Sequence, residues 1–207
     1  MLPDPAHTDP AMTVVVPGSD GRPRCPWAKG EVYERYHDEE WGVPLHGDEA
    51  LFEKLSLEAF QSGLSWLTVL RKRDAFRAAF AGFEPERVAE VDETEVERLL
   101  GDAGIIRNRM KIEAVIANAR AISALRQRDG QGALDRLVWS FASPPRTTAD
   151  RPRVLADVPA STPAAKDLAA ALKREGLRFV GPVTAYALMQ SAGLVDDHLE
   201  GCWRTSG

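Results

Sequence analysis

The stretch that decides the fold is residues 164–192, AAKDLAAALKREGLRFVGPVTAYALMQSA, which predicts two helices joined by a tight turn. The first helix, over 164–175, ends at Gly176, because glycine readily adopts the left-handed conformation that stops a helix. Pro182 then occupies the first position of a second helix over 182–192, where its missing amide would be unpaired anyway. The two helices and their turn form a helix-hairpin-helix unit.

Apolar residues elsewhere in the chain also follow helical spacing. Further helices are predicted from Asp48 to about Ser62, from Ser65 to Gly82, over Ile112–Ile122 and over Leu134–Phe141. A short helix that carries Val96, Leu99 and Leu100 is predicted to end near Asp102. No alternating strand pattern is longer than residues 13–16, so the predicted fold class is all-α. The prolines between 144 and 152 predict a long loop, which is unusual in a compact domain and can carry function.

Length and composition predict one globular domain of two helical lobes over residues 23–207. Residues 1–22 are proline-rich and lack periodicity, so we expect a flexible extension there. No apolar run approaches the roughly 18 residues of a membrane span, and the start of the chain lacks the pattern of a signal peptide. We therefore expect a cytoplasmic protein without membrane association.

Glu58 is an acid on the apolar side of the predicted helix over 48–62. At about 100° per residue, Leu55 and Ala59 share its face, whereas Glu53 points to the opposite side. An unpaired buried carboxylate costs several kcal/mol. Two interpretations remain open: a structural glutamate satisfied by an arginine or a backbone amide, or a residue that meets a ligand.

Both cysteines and two of the four histidines lie near the ends of the chain. Cys25 and His37 are near the start, and His198 and Cys202 share a face if the last segment is helical. Two cysteines and two histidines can fill the four positions of a tetrahedral zinc ion, which leaves none for a catalytic water. The pattern indicates a structural metal that clips the two ends together, with coincidence as the open alternative.

Aromatic residues are dense beside these positions. They are Trp27, Tyr33, Tyr36, Trp41 and Trp66. Such a cluster is most often part of a core. Beside a core-facing acid it can instead form a pocket that stacks a planar base and reads its edge through hydrogen bonds.

Basic residues are locally concentrated although the formal net charge is −5. Residues 101–128 carry six arginines and lysines against two acids, and residues 71–77 carry four against one. Such residues usually form a solvated helix face, but beside a glycine hairpin they suit DNA phosphates. The predicted phosphate contacts are Arg178, Val180 and Gly181, where helix amides and the helix dipole favour an anion.

Six stretches of the sequence carry a family resemblance. They are RCPW at 24–27, YHDEEWGVP at 36–44, LEAFQSGLSW at 57–66, DAGIIR at 102–107, VWSF at 138–141 and FVG at 179–181. Jointly they are highly specific, and over residues 24–202 the chain resembles 3-methyladenine DNA glycosylase I, the TAG family of the helix-hairpin-helix glycosylase superfamily.

The resemblance implies specific roles for the residues singled out above. It implies a structural Zn²⁺ held by Cys25, His37, His198 and Cys202. It also implies that the excised base is contacted by Glu58 and Tyr36 and stacks on Trp27 and Trp66, with Tyr33 as a further wall. At Phe60 similar proteins carry a polar residue, so we expect a change at the pocket rim.

The implied substrate is double-stranded DNA with alkylated bases, and the implied products are free 3-methyladenine and an abasic site. Because the alkylated base is cationic, its glycosidic bond is already weak and no strong general acid is needed. Glu58 is therefore expected to recognise the cation and stabilise the departing base, helped by the aromatic faces. Val183 stands where strand-cutting members carry a Schiff-base lysine, so a monofunctional hydrolase is predicted.

Asp196 is the second candidate catalytic residue. Other members of the superfamily place an aspartate shortly after the second hairpin helix, where it stabilises the sugar cation or activates water. The TAG branch generally lacks this aspartate, so Asp196 departs from the pattern. The alternative is a helix-terminal aspartate that bonds backbone amides.

The whole sequence therefore predicts an all-α, zinc-clasped and monomeric DNA-3-methyladenine glycosylase. A non-catalytic helix-hairpin-helix module that binds alkylated or abasic DNA is the alternative from another functional class. A catalytic metalloenzyme is disfavoured, because protein ligands would fill all four metal positions.

Overall fold

The structure is a computed structural model that describes residues 14–205, and its secondary structure is almost entirely helical. The helices are α1 Glu31–Glu39, α2 Asp48–Gln61, α3 Trp66–Ala79, α4 Pro85–Ala89, α5 Glu93–Gly101, α6 Arg109–Asp129, α7 Ala133–Trp139, α8 Pro163–Arg174 and α9 Pro182–Ser191. One short antiparallel ladder joins β1, Val16–Pro17, to β2, Pro23–Arg24. The all-α prediction is confirmed, and no helix within residues 14–205 is long and apolar enough to cross a bilayer.

Helix α2 lies at the centre of the fold and packs against α3, α6, α7 and α9. It is buried almost all round, because partner helices cover more than the one face that the apolar spacing predicts. Leu51 and Leu55 are buried as expected, but Lys54 and Ser56 are buried as well. Glu49 remains exposed on the outer side.

Both ends of α2 are fixed by buried polar contacts. At its start, Asp48 Oδ2 accepts a hydrogen bond of 2.7 Å from Arg126 Nε of α6. At its end, Lys111 Nζ donates to the backbone oxygens of Phe60 at 2.9 Å and Ser62 at 2.7 Å. These contacts connect α2 to the longest helix of the fold at two points.

Helices α8 and α9 form the predicted hairpin. Gly176 adopts φ 92, and the Leu177 amide donates to the Leu172 oxygen at 3.0 Å, which closes the end of α8. Asn118 of α6 then bonds both backbone groups of Arg178, at 2.6 and 3.1 Å. The turn is therefore held from outside by α6 as well as by its own glycines.

Residues 14–22 differ from the expected flexible extension. The Ser19 amide and hydroxyl donate to the Glu34 carboxylate on α1. The buried Arg24 donates to Asp20 at 2.6 Å and to Asp38 at 2.6 Å. These contacts and the β ladder dock the segment on α1, whereas the rest of the expected extension, residues 1–13, lies outside the described residues.

Candidate functional site

A cavity of about 470 Å³ opens beside the C-terminal half of α2. It is lined by Trp27, Tyr33, Tyr36, Trp41, Glu58, Gln61, Trp66, Leu155, Val158, Ala187, Gln190 and Asp197. The structure thus brings together all five residues predicted to bind the base. Leu155 and Val158 come from the proline-containing loop, which the sequence marked only by its length.

Aromatic rings form one continuous wall of this cavity. The ring centre of Trp27 lies 6.0 Å from that of Tyr33 and 5.1 Å from that of Trp41, both edge to face. Tyr36 and Trp66 stand 5.5 Å apart. Within the described residues the buried Trp66 Nε1 has no hydrogen-bond partner.

Glu58 supplies the carboxylate of this wall and is only 7% exposed. Burial raises its pKa to about 7, while the Lys54 ammonium and the Ser191 hydroxyl act in the opposite direction. Burial, and next the nearby Glu58 charge, raise the pKa of Tyr36. Near neutral pH, Glu58 therefore changes between a neutral and a charged form inside an aromatic cavity.

Phe60 does not form part of the pocket rim, contrary to expectation. It is fully buried, and its ring centre lies 4.5 Å from that of Phe76 on α3. Phe60 projects into the core because it lies on the side of α2 that packs against α3. The presence of phenylalanine at position 60, where similar proteins carry a polar residue, therefore affects core packing.

Asp197 is a cavity residue that the sequence did not single out. It is 2% exposed and accepts hydrogen bonds from Tyr186 Oη at 2.5 Å, Gln190 Nε2 at 2.9 Å and Arg146 Nη2 at 2.6 Å. Asp196 and Asp197 are adjacent in the sequence, and nothing in the sequence indicates which of them faces the cavity.

Asp196 has partners on another side. Its Oδ1 lies 2.8 Å from His198 Nδ1, and its Oδ2 pairs with Arg151 at 2.8 Å. The His198 amide also donates to Asp196, at 3.1 Å. Asp196 is not among the residues that line the cavity. This geometry favours the interpretation of Asp196 as a carboxylate that bonds a nearby amide and orients a histidine.

Three of the four predicted metal ligands meet in a buried cluster. The ligand atoms of Cys25, His37 and Cys202 all lie within 4.8 Å of one another. His37 Nδ1 lies 2.8 Å from Asp38 Oδ1, which leaves Nε2 facing Cys202 Sγ at 3.4 Å. The Cys25 thiol, and next the His37 ring, lower the pKa of Cys202. Two cysteine sulfurs beside an imidazole form a donor set that suits a soft divalent ion.

His198 stands next to this cluster as the fourth candidate ligand. Its ring centre lies 5.0 Å from that of His37. Asp196 engages Nδ1, while the buried Nε2 has no partner within the described residues. Gly42 makes room for the ring, because a Cβ at this position would lie 2.7 Å from His198 Cε1. Carboxylates on the outer nitrogen of both histidines are the usual support of metal ligands.

In the part of the chain that the structure describes, the hairpin turn contains two backbone amides without a hydrogen-bond acceptor. Within the described residues, the amides of Val180 and Gly181 have no acceptor, whereas the Arg178 amide is already bonded to Asn118. Phe179 is 42% exposed and Val183 is 63% exposed on the same turn. Of the three predicted phosphate contacts, Gly181 therefore has a partly exposed amide without an acceptor in the described structure, whereas Val180 is only 1% exposed.

The predicted basic face is partly neutralised by internal contacts. Arg126 bonds two acids at the start of α2 and one on α4, and Arg109 pairs with three glutamates. Arg73 and Arg77 pair with Glu40 and Glu53. Counting residues along the sequence therefore overestimated the positive charge available to DNA.

Comparisons with known proteins place these features in a family. The family model described as methyladenine glycosylase matches residues 27–205. DNA-3-methyladenine glycosylase 1 of Escherichia coli is 48% identical over 181 residues, which cover 86% of this chain and 95% of the relative.

Solved structures give the same result. A crystal structure of 3-methyladenine DNA glycosylase I matches with TM-score 0.81 and 48% identity, covering 87% of this chain and 98% of that chain. The Staphylococcus aureus protein, described with the structural basis of its 3-methyladenine recognition, matches with TM-score 0.78 and 36% identity, covering 84% and 92%.

Proposed function

This chain belongs to the methyladenine glycosylase family and is a DNA-3-methyladenine glycosylase, and we propose that Glu58 selects the alkylated base within the aromatic cavity. The observation that carries this proposal is a buried carboxylate set among the faces of Trp27, Tyr36 and Trp66 in one cavity. A planar cation gains there both from a negative charge and from the aromatic faces.

The proposed reaction is hydrolysis of the N-glycosidic bond. Alkylation at N3 leaves the adenine in DNA positively charged, so the electrons of the breaking bond neutralise the departing base. Water adds to the sugar carbon and loses a proton, which leaves an abasic site. The ionised Glu58 accepts hydrogen bonds from the adenine edge and favours the charged base over neutral adenine.

The wall residues would position the flipped base. Tyr36 and Trp66 stand 5.5 Å apart in the cavity lining that includes Glu58, and Trp27 and Tyr33 stand 6.0 Å apart in the same lining. Removing the base from the helical stack costs a few kcal/mol, which stacking on these rings can offset. Val183 offers no amine for a Schiff base, which supports hydrolysis without strand cleavage.

We also propose that Cys25, His37, His198 and Cys202 hold a structural Zn²⁺. The unpartnered Nε2 of His198 and the lowered pKa of Cys202 support this set. All four positions would be protein ligands, so the ion would supply folding stability and no chemistry. Asp196 would orient His198, and its predicted catalytic role remains a prediction.

The hairpin would bind the DNA backbone. The amide of Gly181 at the start of α9 suits a phosphate, and the exposed Arg178 adds a positive charge on the same turn. Because five of the other basic residues, Arg73, Arg77, Arg109, Arg126 and Arg128, pair with acids, we expect fewer phosphate contacts and a weaker dependence of affinity on salt than the count of charges along the sequence implies.

Release of free 3-methyladenine from methylated duplex DNA tests the proposed function. Wild-type protein is expected to release the base without cutting the strand, and Glu58→Gln is expected to release it more slowly. Glu53→Gln provides a matched control, because Glu53 lies on the same helix but pairs with Arg77 on the outer side. Full base release and full 3-methyladenine affinity in Glu58→Gln would overturn the assignment of Glu58. The non-catalytic alternative is not favoured, because relatives at this identity are glycosylases.

A further inference from the structure

Lys54 is a buried lysine whose charge the proposed reaction does not use. It lies one helical turn before Glu58 on α2 and is 8% exposed. Its Nζ lies 5.1 Å from the centre of the Tyr36 ring and 6.0 Å from that of Trp66. The nearest acid in the described structure, Glu40, is 3.9 Å away, too far for a hydrogen bond. A buried ammonium without such a bond destabilises a fold, so a role in packing alone does not account for it.

The two acids with the largest effect on the Lys54 ammonium are Glu40, at 3.9 Å, and Glu58, one helical turn along α2. Glu40, which follows α1, is already bonded by Arg73 of α3 at 2.5 Å, and Glu53 is bonded by Arg77. Glu58 has no such arginine among the described residues.

The groups that face Glu58 are few. Tyr36 faces it from α1 and the uncharged Ser191 from α9, while Lys54 lies on its own helix. Asp197, which follows α9, lines the same cavity, and its carboxylate is taken up by its own three donors. Lys54 lies one helical turn before Glu58, with its Nζ beside the Tyr36 and Trp66 rings of the same cavity wall, and its charge lowers the pKa of Glu58.

We propose that Lys54 is a positioning residue that keeps Glu58 ionised and so sets the pH range in which the cavity selects a cationic base. The inference rests on the proposed role of Glu58 as the residue that recognises the base. Lys54 is not among the residues that line the cavity, so its charge acts from behind Tyr36 and Trp66. A cation in this place stabilises the carboxylate without occupying the space of the base.

Removal of the lysine charge should shift the titration of Glu58 to higher pH. Burial raises the pKa of Glu58 to about 7, and the Lys54 ammonium is the largest opposing influence. Lys54→Met keeps the length and apolar stem of the side chain and removes the charge. An opposite charge at close range shifts a carboxyl pKa by about one unit or more, so the midpoint in Lys54→Met should rise by about one pH unit.

The first experiment reads Glu58 directly, without substrate. Glutamate side-chain carboxyls are labelled with ¹³C, and the Glu58 signal is assigned as the one missing in Glu58→Gln. We expect its midpoint to rise in Lys54→Met and to stay near the wild-type value in Lys54→Arg. An equal midpoint in wild type and Lys54→Met would overturn the inference. If Lys54→Met does not fold, Lys54→Gln gives the same neutral comparison.

The second experiment follows kcat/KM for base release against pH. In Lys54→Met, the fall of kcat/KM on the acidic side is expected to occur at higher pH than in wild type. The value of kcat/KM should be about fivefold lower at pH 7 and close to wild type at pH 8.5. A loss that is equal at every pH would indicate a structural role and refute the inference. Lys166→Met, an exposed lysine on α8, is the control for the substitution itself. The NMR titration remains informative even if Glu58→Gln retains full activity, so failure of the proposed function is distinguishable from failure of this inference.

Discussion

Glu58→Gln is expected to make the protein more stable and less active, and both effects should grow with pH. Glutamine keeps the shape of the side chain and removes its charge. The folded-state pKa of Glu58 is about 7 against an ordinary value of 4.5, a difference worth about 3 kcal/mol. Because the folded-state pKa is raised, the contribution of Glu58 to stability is fully present below pH 4.5 and is lost as pH rises through 7.

The magnitude follows from this linkage. Near pH 5 the variant should be more stable than wild type by about 1 kcal/mol, and near pH 8.5 by about 3 kcal/mol. A charge-assisted hydrogen bond is worth about 1.5–3 kcal/mol, so kcat/KM for 3-methyladenine release should fall roughly 10- to 150-fold at pH 8.5. At pH 6 most of the wild-type carboxyl is already protonated, and the two proteins should differ much less.

Denaturant unfolding at pH 5 and pH 8.5 measures the stability difference, and base release at pH 6 and pH 8.5 measures the activity difference. Glu53→Gln should show neither trend, because Glu53 lies outside the cavity. A stability difference that does not change with pH, together with unchanged base release, would refute the reasoning about Glu58.

Three further substitutions test the metal cluster and the acids that follow α9. Cys202→Ser is expected to lose the metal measured by mass spectrometry and to lower Tm by roughly 10 °C, since about 3 kcal/mol of metal-linked stability disappears; full metal content would contradict the site. Asp196→Asn should weaken metal binding about tenfold while base release by metal-loaded protein stays within about twofold; a large loss at full metal content would instead support the catalytic role predicted from the sequence. Asp197→Asn should lower the free energy of unfolding by about 2 kcal/mol, because its three donors lose a charged acceptor, and unchanged stability at pH 7 would show that these bonds contribute little.

Helical periodicity was enough to predict the main helices but not their surroundings. The hairpin was predicted within about one residue at each end, because Gly176 and Pro182 are local signals. Helix α1 was not predicted, since its sequence is mostly polar and Gly30 precedes it without a capping side chain. The short α4 was missed as well, because five residues cannot show a period.

For the cavity, some wall residues could be predicted from residue type, whereas others depend on contacts that form only in the folded chain. Aromatic residues and a core-facing acid predicted five wall residues, because these residue types are unusual at such density. Asp197 could not be distinguished from Asp196, since the chain direction after α9 decides which one faces inward. The pairing of Arg126 and Arg109 with acids on other helices was likewise invisible to a count of charges along the sequence.

The fixation of α2 at both ends has a consequence for the thermodynamics of base capture. Arg126 holds the first turn and Lys111 holds the last, so these contacts oppose sliding and rotation of the helix that carries Glu58. The entropic cost of ordering this carboxylate therefore arises during folding and does not reduce the affinity for DNA. The site then distinguishes a damaged base from an intact one by how long each flipped nucleotide stays bound in a cavity that is already ordered.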